Sequence, residues 1–159
     1  MVMSSIVLAN QFAALPNASD EATAITNMTN AFITFFSDMS CAGIPCIPAV
    51  LQTTPKTTMA AAMVGLSTAG AASIQAGIIA FWGACVPLAA TIFPTATLIV
   101  PPPSISTVAA VILPVGQASI AAGLDKVSAC NAMAAAIYPL MLGGTATITV
   151  PPPTPLPIL

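Results

Sequence analysis

From Thr57 to Leu124 the chain contains no aspartate, glutamate, lysine or arginine. A soluble monomer keeps ionised side chains on its outward-facing surfaces, because water solvates charge better than apolar neighbours do. Helices or strands built from this stretch carry charge on neither face. We therefore expect much of the surface of this segment to lie against lipid or against other protein.

The whole sequence follows the same trend. Charged residues make up 4% of the 159 residues, against about 25% in typical globular domains, and hydrophobic residues make up 57%. This length suits one domain with a real core, and the apolar excess argues against disorder. With a net charge of −2 and only Lys56 and Lys126 as cations, a basic nucleic-acid-binding surface is excluded. The first residues lack a basic segment followed by a long apolar one, so we expect no cleaved secretory signal.

The clearest predicted helix covers roughly 20–38. Ser19 is a suitable N-cap, and Asp20 and Glu21 fall in the first turn, where the positive end of the helix dipole favours acidic side chains. Bulky apolar residues recur at helical spacing along one side. They are Ile25, Met28, Phe32, Phe35, Phe36 and Met39.

Two further helices are expected. One begins near Pro55, since proline suits the first turn of a helix, and continues through Trp82 or Cys85. Small residues on it would let another backbone approach closely. The other covers 117–138, with Ile120, Leu124, Val127, Met133 and Ile137 roughly in phase, while 104–116 is ambiguous between helix and strand.

Two segments of the chain echo one another. TATLIVPPP starts at Thr95 and TATITVPPP starts at Thr145, and a stretch rich in small residues precedes each. Both combine β-type composition with three prolines, which favour extended polyproline II geometry. The pattern indicates two similar units, a possible twofold internal repeat with a period of about fifty residues, although convergent turn chemistry would give the same match.

We therefore expect a mainly α fold with short extended or β segments. It would consist of an N-terminal arm over 1–18, a helical core domain over 19–144 and an extended proline-rich arm over 145–159. Such arms reach neighbouring subunits in interlocking assemblies. An arm can add a strand to a neighbour's sheet edge, and its prolines then prevent further pairing.

The sequence offers no convincing active site. Without histidine, every histidine-based triad and metal site is excluded. Asp20 and Glu21 form a possible carboxylate pair, but helix capping explains them better. No glycine motif for phosphate binding is present. We expect neither enzymatic activity nor a cofactor.

The four cysteines leave two interpretations open. Cys41 and Cys46 have C-x4-C spacing rather than the C-x2-C spacing of structural zinc sites, so a metal is not expected. A disulfide would join Cys41 to Cys46 or Cys85 to Cys130. Alternatively, all four are buried thiols that act as small apolar residues.

Function is expected to depend on apolar packing and subunit interfaces. The residues predicted to carry the packing are Phe32, Phe35, Phe36, Met59, Met63, Leu66, Ile78, Phe81, Trp82 and Ile137. The C-terminal inter-subunit arm is predicted to consist of the extended run Thr145–Val150 and the three prolines that follow it. Its contact residues are predicted to be Val150, Pro151, Pro152 and Pro153.

Residues 59–85 are long enough to cross a membrane. Their flanks argue against insertion, because Lys56 is the only nearby cation and polar residues interrupt the run. Enclosure by other protein is therefore favoured. A small integral membrane protein, such as a pore or a holin-like lysis factor, is the competing hypothesis.

MAAAMVGLSTAGAASIQAGIIAFWGA (59–84), FPTATLIVPPP (93–103) and DEATAITNMTNAFITFF (20–36) resemble small Ala- and Pro-rich virion structural proteins of tailed bacteriophages. The likeness spans about 20 to 153. It implies a non-catalytic component of the tail, baseplate or neck of a virion. Its partners would be other copies of itself and other structural proteins of the particle, with no nucleic acid and no small-molecule substrate.

Overall fold

The computed structural model describes residues 3–148 and 154–159. Most of this part is helical, with a few short strands, so the predicted mainly α fold with short extended segments is confirmed. The helices are α1 (Ser5–Ala14), α2 (Glu21–Phe36), α3 (Pro48–Leu51), α4 (Thr54–Ala62), α5 (Leu66–Ala69), α6 (Ala71–Cys85), α7 (Ala89–Ile92), α8 (Val108–Ala121) and α9 (Lys126–Met141). The strands are β1 (Ser40–Cys41), β2 (Ile44–Pro45), β3 (Ala96–Val100), β4 (Thr145–Ile148) and β5 (Thr154–Pro157). The 3-10 helical turns Val86–Leu88 and Pro103–Thr107 lead into α7 and α8.

Helix α2 matches the predicted helix over 20–38 closely, but its cap differs. The N-cap is Asp20 rather than Ser19, and its carboxylate accepts a hydrogen bond from the backbone N–H of Thr23 at 2.8 Å. The hydroxyl of Ser19 donates to the same carboxylate at 2.9 Å. A carboxylate is the stronger acceptor for the unpaired N–H groups of a helix start.

The single helix predicted from Pro55 to Trp82 or Cys85 is wrong. The segment forms α4, α5 and α6, with breaks at Gly65 and Gly70, which have φ of 83° and 35°. The chain therefore folds back, and α6 packs against α4. A Cβ on Gly77 would lie 2.6 Å from the Cγ of Met63, so the small residue allows the close approach within one chain.

The single helix predicted over 117–138 is also wrong. Helix α8 begins earlier, so the ambiguous 104–116 segment is helical, and it ends where Gly123 adopts φ of 62°. The N–H of Leu124 then donates to the carbonyl of Ser119 at 3.0 Å, which closes the helix end. Asp125 starts α9 by accepting hydrogen bonds from two backbone N–H groups.

The predicted N-terminal arm over 1–18 is a packed helix over much of its length. Helix α1 lies against α9 and α2, and Leu8, Ala9 and Phe12 are buried. Leu8 and Ala9 lie four and three residues before Phe12, so all three side chains face the core together. The hydroxyl of Tyr138 on α9 also donates to the carbonyl of Met3 at 3.1 Å.

The two echoing segments are neighbours in one antiparallel sheet. Its order is β3-β4-β5, and Val100 pairs with Thr145 while Leu98 pairs with Thr147. The register shifts between Ala96 and Leu98, where Thr97 is the extra residue of a bulge. The first part of the predicted C-terminal arm therefore pairs within its own chain, not with a neighbour.

Prolines remove donors from the outer edge of β5. Ile158 donates its N–H to Gly144, on the β4 side, whereas Leu159 donates to Ser40, on the opposite side. Backbone nitrogens face alternate sides along a strand, so the nitrogens of Pro155 and Pro157 face the same outer side as that of Leu159. Proline has no N–H, so this stretch cannot pair fully with another strand.

Aromatic rings form the centre of the helical core. Phe36 stacks on Phe81 with ring centroids 4.2 Å apart, and Trp82 meets both rings edge-on. Phe32 and Phe35 extend the cluster, and all five side chains are fully buried. The indole N–H of Trp82 is buried without a hydrogen-bond partner in the described part of the chain.

Candidate interaction surface

The predicted packing residues lie inside the chain's own core, so they are not an exposed subunit interface. Leu66 is half-buried. The fully buried ones, each 1% exposed or less, are Phe32, Phe35, Phe36, Met59, Met63, Ile78, Phe81, Trp82 and Ile137. Val150, Pro151, Pro152 and Pro153, assigned to an inter-subunit arm, lie outside the described residues.

A different set of large apolar side chains stands on the surface. Ile120 is 83% exposed, Leu113 and Val127 are each 57% exposed, and Leu124 is 45% exposed. We call these four residues the α8–α9 face. Leu113 and Ile120 are seven residues apart and so lie on the same side of α8. Helix α8 contains no charged residue, so no charged side chain on this helix makes the surface around Leu113 and Ile120 more favourable to water.

This face combines a protrusion with a groove. Ile120 and Leu124 border a groove of about 260 Å³ between α8 and α9, whose other lining residues include Gly116, Ser119 and Met133. Gly116 leaves room beside the Met133 side chain, whose methyl carbon would lie 3.7 Å from an added Cβ. Sequence periodicity placed Ile120 in phase with the buried Ile137. The missed signal was Gly123, followed two residues later by the capping Asp125.

Asp20, one member of the possible carboxylate pair, serves a helix start, and so does Asp125. Hydrogen bonds donated by the Thr23 backbone and by Ser19 lower the pKa of Asp20. The hydroxyl and the N–H of Ser128 lower the pKa of Asp125 in the same way. Glu21, the other member of the suggested pair, instead accepts a hydrogen bond from Ser67 at 3.1 Å. This geometry makes Asp20 and Asp125 helix caps.

All four cysteines are free thiols, so neither proposed disulfide is formed. Cys46 lies 3.4 Å from the carbonyl of Ser37, to which its thiol donates. Burial raises the pKa of Cys46 to about 11 and that of Cys85 to about 12. Burial also raises the pKa of Cys41, whose thiol faces the Leu156 carbonyl at 3.7 Å. A thiol that stays protonated at neutral pH is a poor nucleophile and a poor metal ligand.

The cysteines and acidic residues do not converge. Within residues 3–148 and 154–159, no group of three or more histidine, cysteine, aspartate or glutamate side chains could hold a metal ion. The arrangement of these groups fits capping and core packing.

A second concave feature, about as open to solvent as the groove, lies where α1, α2, α6, α8 and α9 meet. We call it the inner cavity, and its volume is about 260 Å³. Its apolar walls include Phe12, Leu15, Met28, Ile74, Ile112 and Ile137. Lys126 and Cys130, one turn apart on α9, also line it. Ala129 and Met133 border both this cavity and the groove of the α8–α9 face.

Comparison with known proteins gives no further guide to this surface. No protein-family model, no curated protein and no solved structure matches the chain.

Proposed function

We propose that this protein is a non-catalytic structural subunit of a large protein assembly, a tail, baseplate or neck component of a phage virion. The observation that carries the assembly part is the α8–α9 face, with large apolar side chains exposed on an uncharged helix. Ile120 and Leu124 border the same groove, and exposed apolar side chains that cluster in this way mark a place where another molecule binds. The virion part rests on the resemblance of 59–84 and 93–103 to phage structural proteins.

A second copy of the chain is the occupant that best fits this face. A twofold-symmetric interface uses the same patch on both subunits, so the patch must complement itself. The α8–α9 face does so in shape, because the exposed Ile120 stands beside a groove that can receive the same side chain from a partner.

Light scattering after size-exclusion chromatography tests this proposal. The wild-type chain should form oligomers that persist at high salt, because apolar contacts are not screened. Ile120→Asp should weaken self-association by about thirtyfold or more, since loss of a central apolar anchor costs about 2 kcal/mol. The helical circular dichroism should not change, because Ile120 makes few contacts within the chain.

Val64→Asp is the matched control. Val64 is 73% exposed but lies between α4 and α5, away from the α8–α9 face. This variant should keep the wild-type oligomer. A wild-type chain that stays monomeric at every concentration, or a Val64→Asp variant that dissociates as Ile120→Asp does, would contradict the assembly proposal.

The virion part has its own test. Particles of a phage whose genome encodes this chain should contain it in stoichiometric amounts, as measured by mass spectrometry of the purified particles. Dissociation of the particles without detergent should release the chain. Its absence from particles would refute the virion role and leave the self-association result standing.

An integral membrane protein is the second candidate, and one observation favours it. Two helical runs, Ala71–Ile92 and Pro103–Ala121, are long and apolar enough to cross a bilayer. In the second run, only 22% of the most apolar window is buried. Polar residues such as Gln75 and Gln117 interrupt the runs, and Gln75 accepts a hydrogen bond from the N–H of Ala109 at 2.8 Å, which fits packing between helices.

Membrane flotation separates the two candidates. A chain mixed with phospholipid vesicles should stay in the dense fraction if it is a virion subunit. Flotation with the vesicles, together with release of an encapsulated dye, would favour the pore or holin-like function.

A further inference from the structure

The inner cavity is a partly open pocket with an almost entirely apolar lining. An apolar space of about 150 Å³ is enough to bind benzene. The inner cavity is larger, at about 260 Å³, and side chains such as Met28, Ile74 and Ile112 form its walls. Water gains few hydrogen bonds in such a space, so an aliphatic chain would fill it more favourably.

One cation stands on the wall of this cavity. Lys126 is the first residue of α9, and its ammonium donates a hydrogen bond to the carbonyl of Leu15 at 2.7 Å. That bond holds the ammonium beside the end of α1. An ammonium has three N–H donors, so further donors remain for a ligand. The carboxylate of Asp125 is occupied in capping, because it accepts hydrogen bonds from Val127 and Ser128.

Cys130 supplies a second indication of where this charge lies. Burial raises the pKa of the Cys130 thiol, and the positive charge of Lys126 opposes that rise. The ammonium therefore acts electrostatically on a group that lines the cavity. An apolar space with a single positive charge on its wall complements a molecule with an alkyl chain and one anionic end.

We propose that the inner cavity binds a medium-chain fatty carboxylate, with its alkyl chain among the apolar walls and its carboxylate on the ammonium of Lys126. This site does not depend on the proposed assembly function, because its walls belong to one chain.

Isothermal titration calorimetry with hexanoate, octanoate, decanoate and 1-decanol tests the site on the wild-type chain. Each added methylene should tighten binding by about fourfold until the cavity is full, because burial of a methylene group is worth about 0.8 kcal/mol. Decanoate should bind more tightly than 1-decanol, because only the carboxylate pairs with Lys126. Equal affinity for decanoate and 1-decanol, or no binding of either, would overturn the proposal. This comparison does not require any variant to fold.

Two variants locate the ligand. Lys126→Gln keeps a hydrogen-bond donor for the Leu15 carbonyl but removes the charge. It should weaken the affinity for decanoate by about fivefold and leave the affinity for 1-decanol unchanged. Lys56→Gln is the matched control, because Lys56 hydrogen-bonds to Gln52 on the exposed surface, and it should bind decanoate like the wild type. Ala129→Phe should fill the cavity and abolish binding of both ligands. Unchanged decanoate affinity in both Lys126→Gln and Ala129→Phe would place the ligand elsewhere.

Cys130 reports occupancy directly. The other three cysteines are buried, whereas Cys130 is only partly buried. Iodoacetamide should therefore alkylate Cys130 in the folded chain, and decanoate should slow that reaction as the cavity fills. Alkylation that decanoate does not slow, measured by mass spectrometry at saturating ligand, would contradict binding in this cavity.

Discussion

The aromatic core and the α8–α9 face are both built from apolar side chains but are opposite in environment. Phe36, Phe81 and Trp82 are fully buried and stack on one another, whereas Ile120 is 83% exposed. Hydropathy alone does not separate these regions, since α6, which carries Phe81 and Trp82, and α8, which carries Ile120, both contain no charged residue. The difference lies in ring size and in position around a helix. Large rings fill the centre of a helical layer, whereas Ile120 follows the buried Ser119 on α8 and so points about 100° away from the buried side.

This contrast suggests that the apolar excess serves two purposes. One part stabilises the fold through burial, and the other part remains on the surface for another molecule. Substitutions in the two regions should therefore affect different measurements.

The largest effect on stability is expected from Phe36→Ala. The ring is fully buried and contacts Phe81 and Trp82, so its loss leaves a cavity and should lower the free energy of unfolding by about 3–5 kcal/mol. Urea unfolding followed by circular dichroism measures this. Ile120→Ala is the surface counterpart, and should change stability by less than about 0.5 kcal/mol. Similar losses in the two variants would remove the distinction between core and face.

An intermediate effect is expected at glycines of α6. Gly77→Ala places a Cβ 2.6 Å from Met63 Cγ and 3.3 Å from the carbonyl oxygen of Met59, and should lower the free energy of unfolding by about 1–3 kcal/mol. Gly83→Ala is the control on the same helix. No atom lies within 4 Å of its added Cβ, so alanine should stabilise by about 0.5–1 kcal/mol through helix propensity. Thermal unfolding of both variants gives the sign of each change in stability. Destabilisation by Gly83→Ala would contradict the open surroundings of Gly83.

Loss of a helix cap should have a smaller effect that depends on pH. The folded-state pKa of Asp20 is lowered from 3.8, so the ionised cap stabilises the fold above that value, and the contribution is lost as the pH falls through the lowered pKa. Asp20→Ala should therefore lower the melting temperature at pH 7, and the difference from wild type should shrink below pH 3.8. Asp20→Asn keeps a capping oxygen and should show little change at pH 7. A pH-independent deficit in Asp20→Ala would argue against the cap.

The smallest change is chemical and leaves stability untouched. At pH 8 the thiols of Cys46 and Cys85, with pKa values raised to about 11 and about 12, should resist iodoacetamide in the native chain, and Cys130 should react first. Peptide mapping by mass spectrometry identifies the labelled residue. Equal labelling of all four cysteines in urea is the control, and rapid labelling of Cys85 in the native chain would contradict its burial.

Much of the fold could be predicted from residue pattern. The stripe containing Phe32 and Phe36 predicted α2, and the β-type runs at Thr95 and Thr145 predicted β3 and β4. Helix ends were predicted poorly. A single glycine such as Gly65, between Val64 and Leu66, is compatible with a continuing helix. The break there is explained only by the tertiary structure, in which α6 packs back against α4.

The candidate surfaces were less accessible to sequence reasoning. A helical stripe through Ile120 and Ile137 suggested one buried side, but the break at Gly123 gives the two residues different environments. The inner cavity was not anticipated at all. Its walls come from segments as distant in sequence as Phe12 and Ile137, and no local pattern encodes such a meeting.

The sequence by itself determined the scarcity of charge, the helical character and the lack of a histidine-based site, because these depend on composition and on local periodicity. The tertiary structure alone decided which apolar residues are buried and which are exposed. Alanine, isoleucine and leucine have no polar group that forces them outward, so only the packing of one helix on another assigns each of them to the core, the cavity or the surface.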